Sequence, residues 1–182
     1  MWSKFGGDYS SAEFLKERES FVSNYIASVD GVRDEEGAEG AAFQFGSLPD
    51  SLKGTADAVL MMRAAHHFTR IDDGVYFTEA LADIKDVLKP GGVVGVVQHR
   101  AQEDMPDDWA AGNAGYVKQS AIIAAFENAG FELVEASEIN ANPADRPTTE
   151  DVVWRLPPSN DSEAAKAIGE SDRMTLKFRK PE

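Results

Sequence analysis

An α/β fold with a mostly parallel sheet follows from three features of the sequence. Short apolar runs of five to seven residues recur along the chain, amphipathic stretches with helical spacing alternate with them, and glycine or proline punctuates the junctions. Such an alternation places helices on both faces of the sheet. At 182 residues the chain has the size of one domain with a core of its own.

The elements are expected in the following order. Ser10 to Ser28 reads as a helix, capped by Ser10 or Ser11, with Phe14, Leu15, Phe21, Val22, Tyr25 and Ile26 on one apolar face. Asp30 to Gly40 is acidic and glycine-rich and reads as a loop. Ala41 to Phe45 is a short strand ending at Gly46-Ser47, and Leu48-Pro49-Asp50 is a turn. Ala56 to Met62 is almost continuously apolar and reads as a buried strand. Gly74 to Leu88 is a helix carrying Phe77, Leu81, Ile84, Val87 and Leu88, stopped by Lys89-Pro90-Gly91-Gly92. Val93 to Val97 is the next buried strand, with Gln98, His99 and Arg100 at its C-terminal end. A helix from Val117 to Ala129 and a strand from Phe131 to Ile139 follow. Asn140 to Ser159 holds four prolines and reads as an ordered loop, before a short helix at Ser162 to Ile168 and a last strand at Met174 to Phe178. Ligands of such sheets bind outside the carboxyl ends of the strands, which directs attention to Gly46-Ser47, to Arg63 through His67, and to Gln98 through Arg100.

Composition bounds the chemistry. Hydrophobic residues make up 42% and charged residues 27%; 18 Lys and Arg against 32 Asp and Glu give a net charge of −14. A surface this acidic repels phosphate backbones, so no nucleic-acid partner is expected. No cysteine is present, which excludes disulfides, thiolate metal sites and a cysteine nucleophile. No apolar run reaches transmembrane length, so no membrane partner is expected, and Met1 to Asp8 carries no apolar signal region. Cytoplasm is the default compartment, subject to a leader upstream of Met1.

Several segments resemble class I S-adenosylmethionine-dependent methyltransferases. Ala56-Asp57-Ala58-Val59-Leu60 with His66-His67-Phe68 is similar to their fourth strand, and Val87-Leu88-Lys89-Pro90-Gly91-Gly92-Val93 to their turn into the fifth. Val96 to Ala101, Gly115-Tyr116-Val117, Ser137 to Pro143, Trp154 to Pro158 and Glu170 to Phe178 resemble a bacterial family of predicted methyltransferases. The resemblance runs from about Phe43 to Pro181. It implies a Rossmann-like sheet with strand order three, two, one, four, five, seven, six, the seventh antiparallel.

One departure stands out. The family holds its cofactor on a glycine-rich loop after the first strand, where glycines let the backbone approach the ligand. This chain contains no Gly-x-Gly, and no acidic residue follows a second strand to hold the ribose. The chain is therefore expected to be a single partial domain over 1–182, a truncated sheet lacking the first two strands. That leaves a gap of roughly 14 Å between the third and fourth strands. The third strand would move across to pair with the fourth, a second chain would cover the exposed edge as a homo-oligomer, or the piece would fold poorly.

The resemblance implies a small-molecule substrate and S-adenosylmethionine as cofactor, with in-line attack of a substrate nucleophile on the cofactor methyl. Orientation would be the enzyme's main work, with His66, His67 or His99 as base. His66-His67 borders cofactor and substrate in related enzymes; the alternative is that one histidine caps the strand end and the other is solvated. Arg100 can fork onto a substrate carboxylate or phosphate, or pair with Glu103 or Asp104. Gln98 stands where an acidic partner for His99 is expected. Gly46, Ser47, Arg63 and Ala64 are the candidate cofactor contacts. Gly46-Ser47 is equally read as a plain turn, and Arg63 as paired with Asp57 or Asp72. Asn140, Asn142 and Trp154 would bind a small ligand, or else the amides hold their own loop while Trp154 covers the core. No metal is expected, because adjacent His66 and His67 on an extended backbone point to opposite sides. No Gly-x-Ser-x-Gly elbow is present, so no hydrolytic triad is expected. The second reading is a catalytically inactive fragment or pseudoenzyme that serves as a binding module.

Overall fold

The computed structural model describes residues 43–182 together with Ser23, Asn24 and Ala27. Two compact units are present, Met1–Ser47 and Leu48–Glu182. In the first, Ser23, Asn24 and Ala27 are helical, as expected; the rest of the helix over Ser10 to Ser28, the acidic loop, and Ala41-Ala42 lie outside the described residues. Phe43 and Gln44 have no regular structure, and Phe45-Gly46 forms a turn. The expected strand over Ala41 to Phe45 therefore does not include its last three residues. Gly46 at φ +84° takes the chain out of the extended conformation, and the Ser47 amide donates back to the Gln44 carbonyl at 3.0 Å.

The second unit is built on five strands: β1 (Ala56–Met62), β2 (Leu88–Ala101), β3 (Val117–Lys118), β4 (Glu132–Ser137) and β5 (Arg173–Arg179). Four helices accompany them: α1 (Ala65–Thr69), α2 (Val75–Val87), α3 (Gln119–Asn128) and α4 (Glu163–Ile168). The sheet order is β1-β2-β5-β4, with β3 added to the end of β2. β1 runs parallel to β2, whereas β5 is antiparallel to both β2 and β4. This is the order that the resemblance implies for its fourth, fifth, seventh and sixth strands, including the antiparallel last strand.

One face of the sheet forms the core. Met61, Val94, Val96, Met174, Leu176 and Phe178 are buried there. Phe77, Ala80, Leu81 and Ile84 of α2 and Ile122 and Phe126 of α3 are buried as well. The Phe126 ring stacks on Phe178 at 4.1 Å between centroids and meets Phe77 edge-on at 6.2 Å, which joins both helices to the same face.

The opposite face differs from expectation. Among the described residues α2 and α3 both lie on one face, and β1 is only half buried: Leu60 is 74% and Met62 57% exposed. These residues are in register with Gly95 and Val97, which pair in turn with the exposed Lys177 and the half-buried Thr175. The apolar run of β1 reflects the composition of a strand covered on both faces. Among the described residues no helix covers the second one.

The Lys89-Pro90-Gly91-Gly92 stop ends α2 at Val87 as expected, yet strand pairing begins before it. Ala56 is in register with Leu88 and Ala58 with Val93, so the stop is an irregularity within β2 rather than a turn before it. The Gly91 amide donates to the Lys180 carbonyl at 3.0 Å, and Lys180 returns a bond to the Gly92 carbonyl at 2.9 Å. Asn140 to Ser159 is ordered without strand or helix, apart from one 3-10 turn at Val153–Arg155.

Candidate functional site

The three histidines converge where β1 and β2 end. β1 does not continue as extended chain. Arg63 turns it with φ +54°, its amide donating to the Val97 carbonyl at 2.6 Å, and α1 starts at Ala65. His66 and His67 therefore stand on one helical turn. Their ring centroids are 4.0 Å apart, which corrects the expectation that they point to opposite sides of an extended backbone. The His99 ring lies 5.7 Å from His66, and Trp154 meets His66 edge-on at 6.1 Å. Among the described residues no group of three potential ligands is arranged to hold a metal ion.

His66 is 3% exposed. Its Nδ1 lies 3.2 Å from Gln98 Oε1, and its backbone amide donates to the same oxygen at 3.4 Å. Its Nε2 is buried with no hydrogen-bond partner. Burial, and then the neighbouring His67, push its pKa down to about 4. His99 Nδ1 meets Ser171 Oγ at 2.6 Å; burial, His66 and Arg63 push its pKa down to about 3. His67, half-buried, is also lowered, by burial first and then by Arg70, whose guanidinium donates to its Nδ1 at 2.8 Å. The cluster is thus neutral at pH 7, and its imidazoles offer lone pairs rather than charge.

Arg100 is committed to the scaffold. Its Nε and NH2 donate to Asp172 at 2.9 and 3.0 Å, NH1 and NH2 donate to Glu138 at 2.9 and 2.8 Å, and NH1 donates to Gln119 Oε1 at 3.1 Å. A guanidinium has five N–H groups, and all five are used. Glu103 instead accepts from the Ser120 amide at 3.1 Å, so the local pair with Glu103 or Asp104 is replaced by longer-range partners. These carboxylates raise the Arg100 pKa further above its ordinary value.

The amides of the long loop do structural work. Asn140 Nδ2 donates to Thr175 Oγ1 at 2.8 Å, and Asn142 Nδ2 donates to the carbonyls of Ile168 and Glu170 at 2.9 and 2.6 Å. Trp154 does not cover the core as expected: it is 41% exposed. Elsewhere in the same loop, Asp145 accepts from the Tyr116 hydroxyl at 2.9 Å, and Arg155 NH2 donates to the same buried carboxylate at 2.6 Å.

Four residues are expected to border S-adenosylmethionine. Gly46 and Ser47 belong to the first unit. In the second, Arg63 is exposed, and Asp57 pairs with Lys89 at 2.6 Å rather than with it. Ala64 precedes α1 and offers no side-chain polar group. The buried polar side-chain atoms without a hydrogen bond among the described residues are His66 Nε2, Arg155 Nε, which lies 3.4 Å from Asp151 in an ion pair, and Arg173 Nε. Arg63 and Ala64 thus present an exposed guanidinium and a methyl group, neither of them a buried polar group aimed at a cofactor. A cavity of about 460 Å³ opens beside Thr69, Ala111, Val117 and Lys118 and is not lined by the histidines.

Sequence reasoning singled out the three histidines but missed their partners. Gln98 is fully buried and Ser171 4% exposed, both unusual for polar residues and both bonded to a ring nitrogen. The only signal in the sequence is a glutamine inside an apolar strand.

No protein-family model matches the chain. No curated protein matches it. Among solved structures it is similar to the [4+2]-cyclase SpnF, with a TM-score of 0.54 and 20% identity over 86% of this chain and 62% of that one. It is similar also to a chain from the complex between the Haloferax volcanii Trm112 methyltransferase activator and its candidate methyltransferase. That match has a TM-score of 0.50 and 18% identity, over 85% of this chain and 67% of the other. At these identities the likeness is one of fold: an open α/β sheet of the Rossmann-like methyltransferase type. The chain spans 62% of the length of the cyclase.

Proposed function

We propose that the protein belongs to the S-adenosylmethionine-dependent methyltransferases, within a bacterial branch acting on small molecules, and that the histidine cluster is the acceptor side of its site. The carrying observation is His66 Nε2, a buried lone pair without a partner at the C-terminal ends of β1 and β2. The sequence resemblance and the shared fold support the family reading. S-adenosylmethionine is the cofactor the family uses.

Magnitudes assign His66 its role. A base with a pKa of about 4 is some six units below an acceptor hydroxyl near 10, so taking its proton before the methyl arrives would be uphill by roughly 8 kcal/mol. His66 therefore acts by accepting a hydrogen bond from the O–H or N–H of an acceptor and so orienting it. Arg100 contributes to the scaffold rather than to substrate binding.

The second reading is an inactive member that serves as a binding module. It is favoured by the missing Gly-x-Gly and by the poor fit of Arg63 and Ala64 to the cofactor. The likeness to a [4+2]-cyclase is a reminder that one fold carries several chemistries. Self-association through the outer edge of β1, and a cytoplasmic location, complete the proposal.

Titration of the 182-residue chain with S-adenosylhomocysteine by calorimetry separates the two. Micromolar binding is the expected outcome of the methyltransferase reading. No heat from a chain shown to be folded by circular dichroism overturns it in favour of the binding module.

A further inference from the structure

We infer that Gln98 is a positioning residue that holds His66 as the Nδ1–H tautomer, leaving Nε2 as a fixed lone pair inside the cluster. The inference rests on the reading of that cluster as the acceptor side of the site.

The orientation of the Gln98 amide is settled by its surroundings. Its Nε2 donates to the Gly115 carbonyl at 2.9 Å and more weakly to the His99 carbonyl at 3.4 Å. Carbonyls only accept. On the other side the His66 amide donates to Oε1 at 3.4 Å. Turning the amide over would set an oxygen against the Gly115 carbonyl and an NH2 against the His66 N–H, a repulsion at both ends. Oε1 therefore faces His66, and only a protonated Nδ1 can donate to it across 3.2 Å.

Gln98 is itself rigidly placed. It is fully buried, lies within the pairing between β2 and β5, one residue from its end, and is in register with Met174. Its other anchor, Gly115, has φ +87°, and a side chain there would collide with Val153, the neighbour of Trp154. Strand, glycine turn and long loop thus converge on one amide. Free imidazole exchanges between its two tautomers, and a ring that must present a lone pair at Nε2 gains from having that choice removed. A carboxylate at position 98 would also bond Nδ1, but it would draw His66 towards the charged form. A neutral amide fixes the tautomer without adding charge.

The test is a long-range proton–nitrogen correlation spectrum of the 15N-labelled full chain at neutral pH, with the His66 signals assigned by their loss in His66→Gln. The expected spectrum shows His66 protonated at Nδ1 and bare at Nε2. In Gln98→Met, which keeps the side-chain length, the majority form switches to Nε2–H. A parent protein with Nε2–H at His66, or one averaging between tautomers, overturns the inference. So does a folded Gln98→Met that keeps the Nδ1–H form. Should that variant not fold, the parent spectrum alone decides. Failure of S-adenosylhomocysteine binding with the predicted tautomer in place counts against the methyltransferase reading only, whereas the wrong tautomer with binding intact counts against this inference only.

Discussion

Trp154 reaches His66 from a loop more than fifty residues beyond the end of β2, and stands edge-on to it while 41% exposed. Burial is the largest cause holding the His66 pKa near 4. Removing the indole admits water to the ring, and water favours the charged form. Trp154→Ala is therefore expected to raise the His66 pKa from about 4 towards its ordinary 6.5, read by NMR titration of the ring protons. An unchanged pKa would show that other neighbours supply the burial. At this scale the sequence was informative about which side chains carry chemistry and silent about what they touch. With three histidines in 182 residues, the addresses are few. Ser171 and Gln98 lie 72 and 32 residues from their imidazole partners, and contacts at that separation follow from strand order rather than from local pattern. Arg100 shows the same limit: its nearest acidic neighbours in sequence are not its partners, because Asp172 and Glu138 arrive on segments brought alongside by β5 and β4.

Among the described residues β1 pairs only with β2, so none of them covers its outer edge. On its uncovered face Leu60 and Met62 are exposed. An open edge next to apolar side chains promotes association between copies. The chain is expected to self-associate with rising concentration in sedimentation velocity, and Leu60→Lys to shift it towards monomer. A chain that stays monomeric, or a variant that associates equally, would refute a role for this face. Most element boundaries were legible, because capping, periodicity and Lys-Pro-Gly-Gly are local signals. β1 matches its expected span, and the antiparallel β5 extends its own by one residue at each end. The failures have physical causes. The extended reading of His66-His67 missed α1, a helix of five residues, too short to display a period. The buried reading of β1 inferred from composition a cover that composition cannot guarantee.

Taken over the whole molecule, the cluster makes stability depend on pH in a definite direction. His66 and His99 have folded pKa values of about 4 and 3 against an ordinary 6.5. The unfolded chain therefore binds protons that the folded one refuses. Their stabilisation is fully present above about pH 6.5 and is lost as the pH falls towards 4 and then 3, by up to roughly 1.4 kcal/mol per pH unit for each group. The net charge of −14 acts oppositely, since acid relieves repulsion as the isoelectric point near 4.6 is approached. Comparing variants separates the two effects. His99→Gln is expected to flatten the fall in Tm between pH 7 and pH 5 relative to the parent, measured by scanning calorimetry; equal slopes would refute the histidine contribution.

The saturation of Arg100 has a consequence for access. Through Asp172 and Glu138 it ties the end of β2 to the start of β5 and to the residue after β4 that leads into the long loop, and the Asn142 backbone amide donates to the same Asp172 carboxylate at 2.9 Å. Asp145, within the loop, accepts from Tyr116, Arg155 and the Asp172 amide together. A segment with so many anchors is a poor lid, because lifting it would break charge-assisted bonds at several points at once. Motion beside His66 is therefore expected in side chains such as the half-exposed indole of Trp154 rather than in the backbone of the loop.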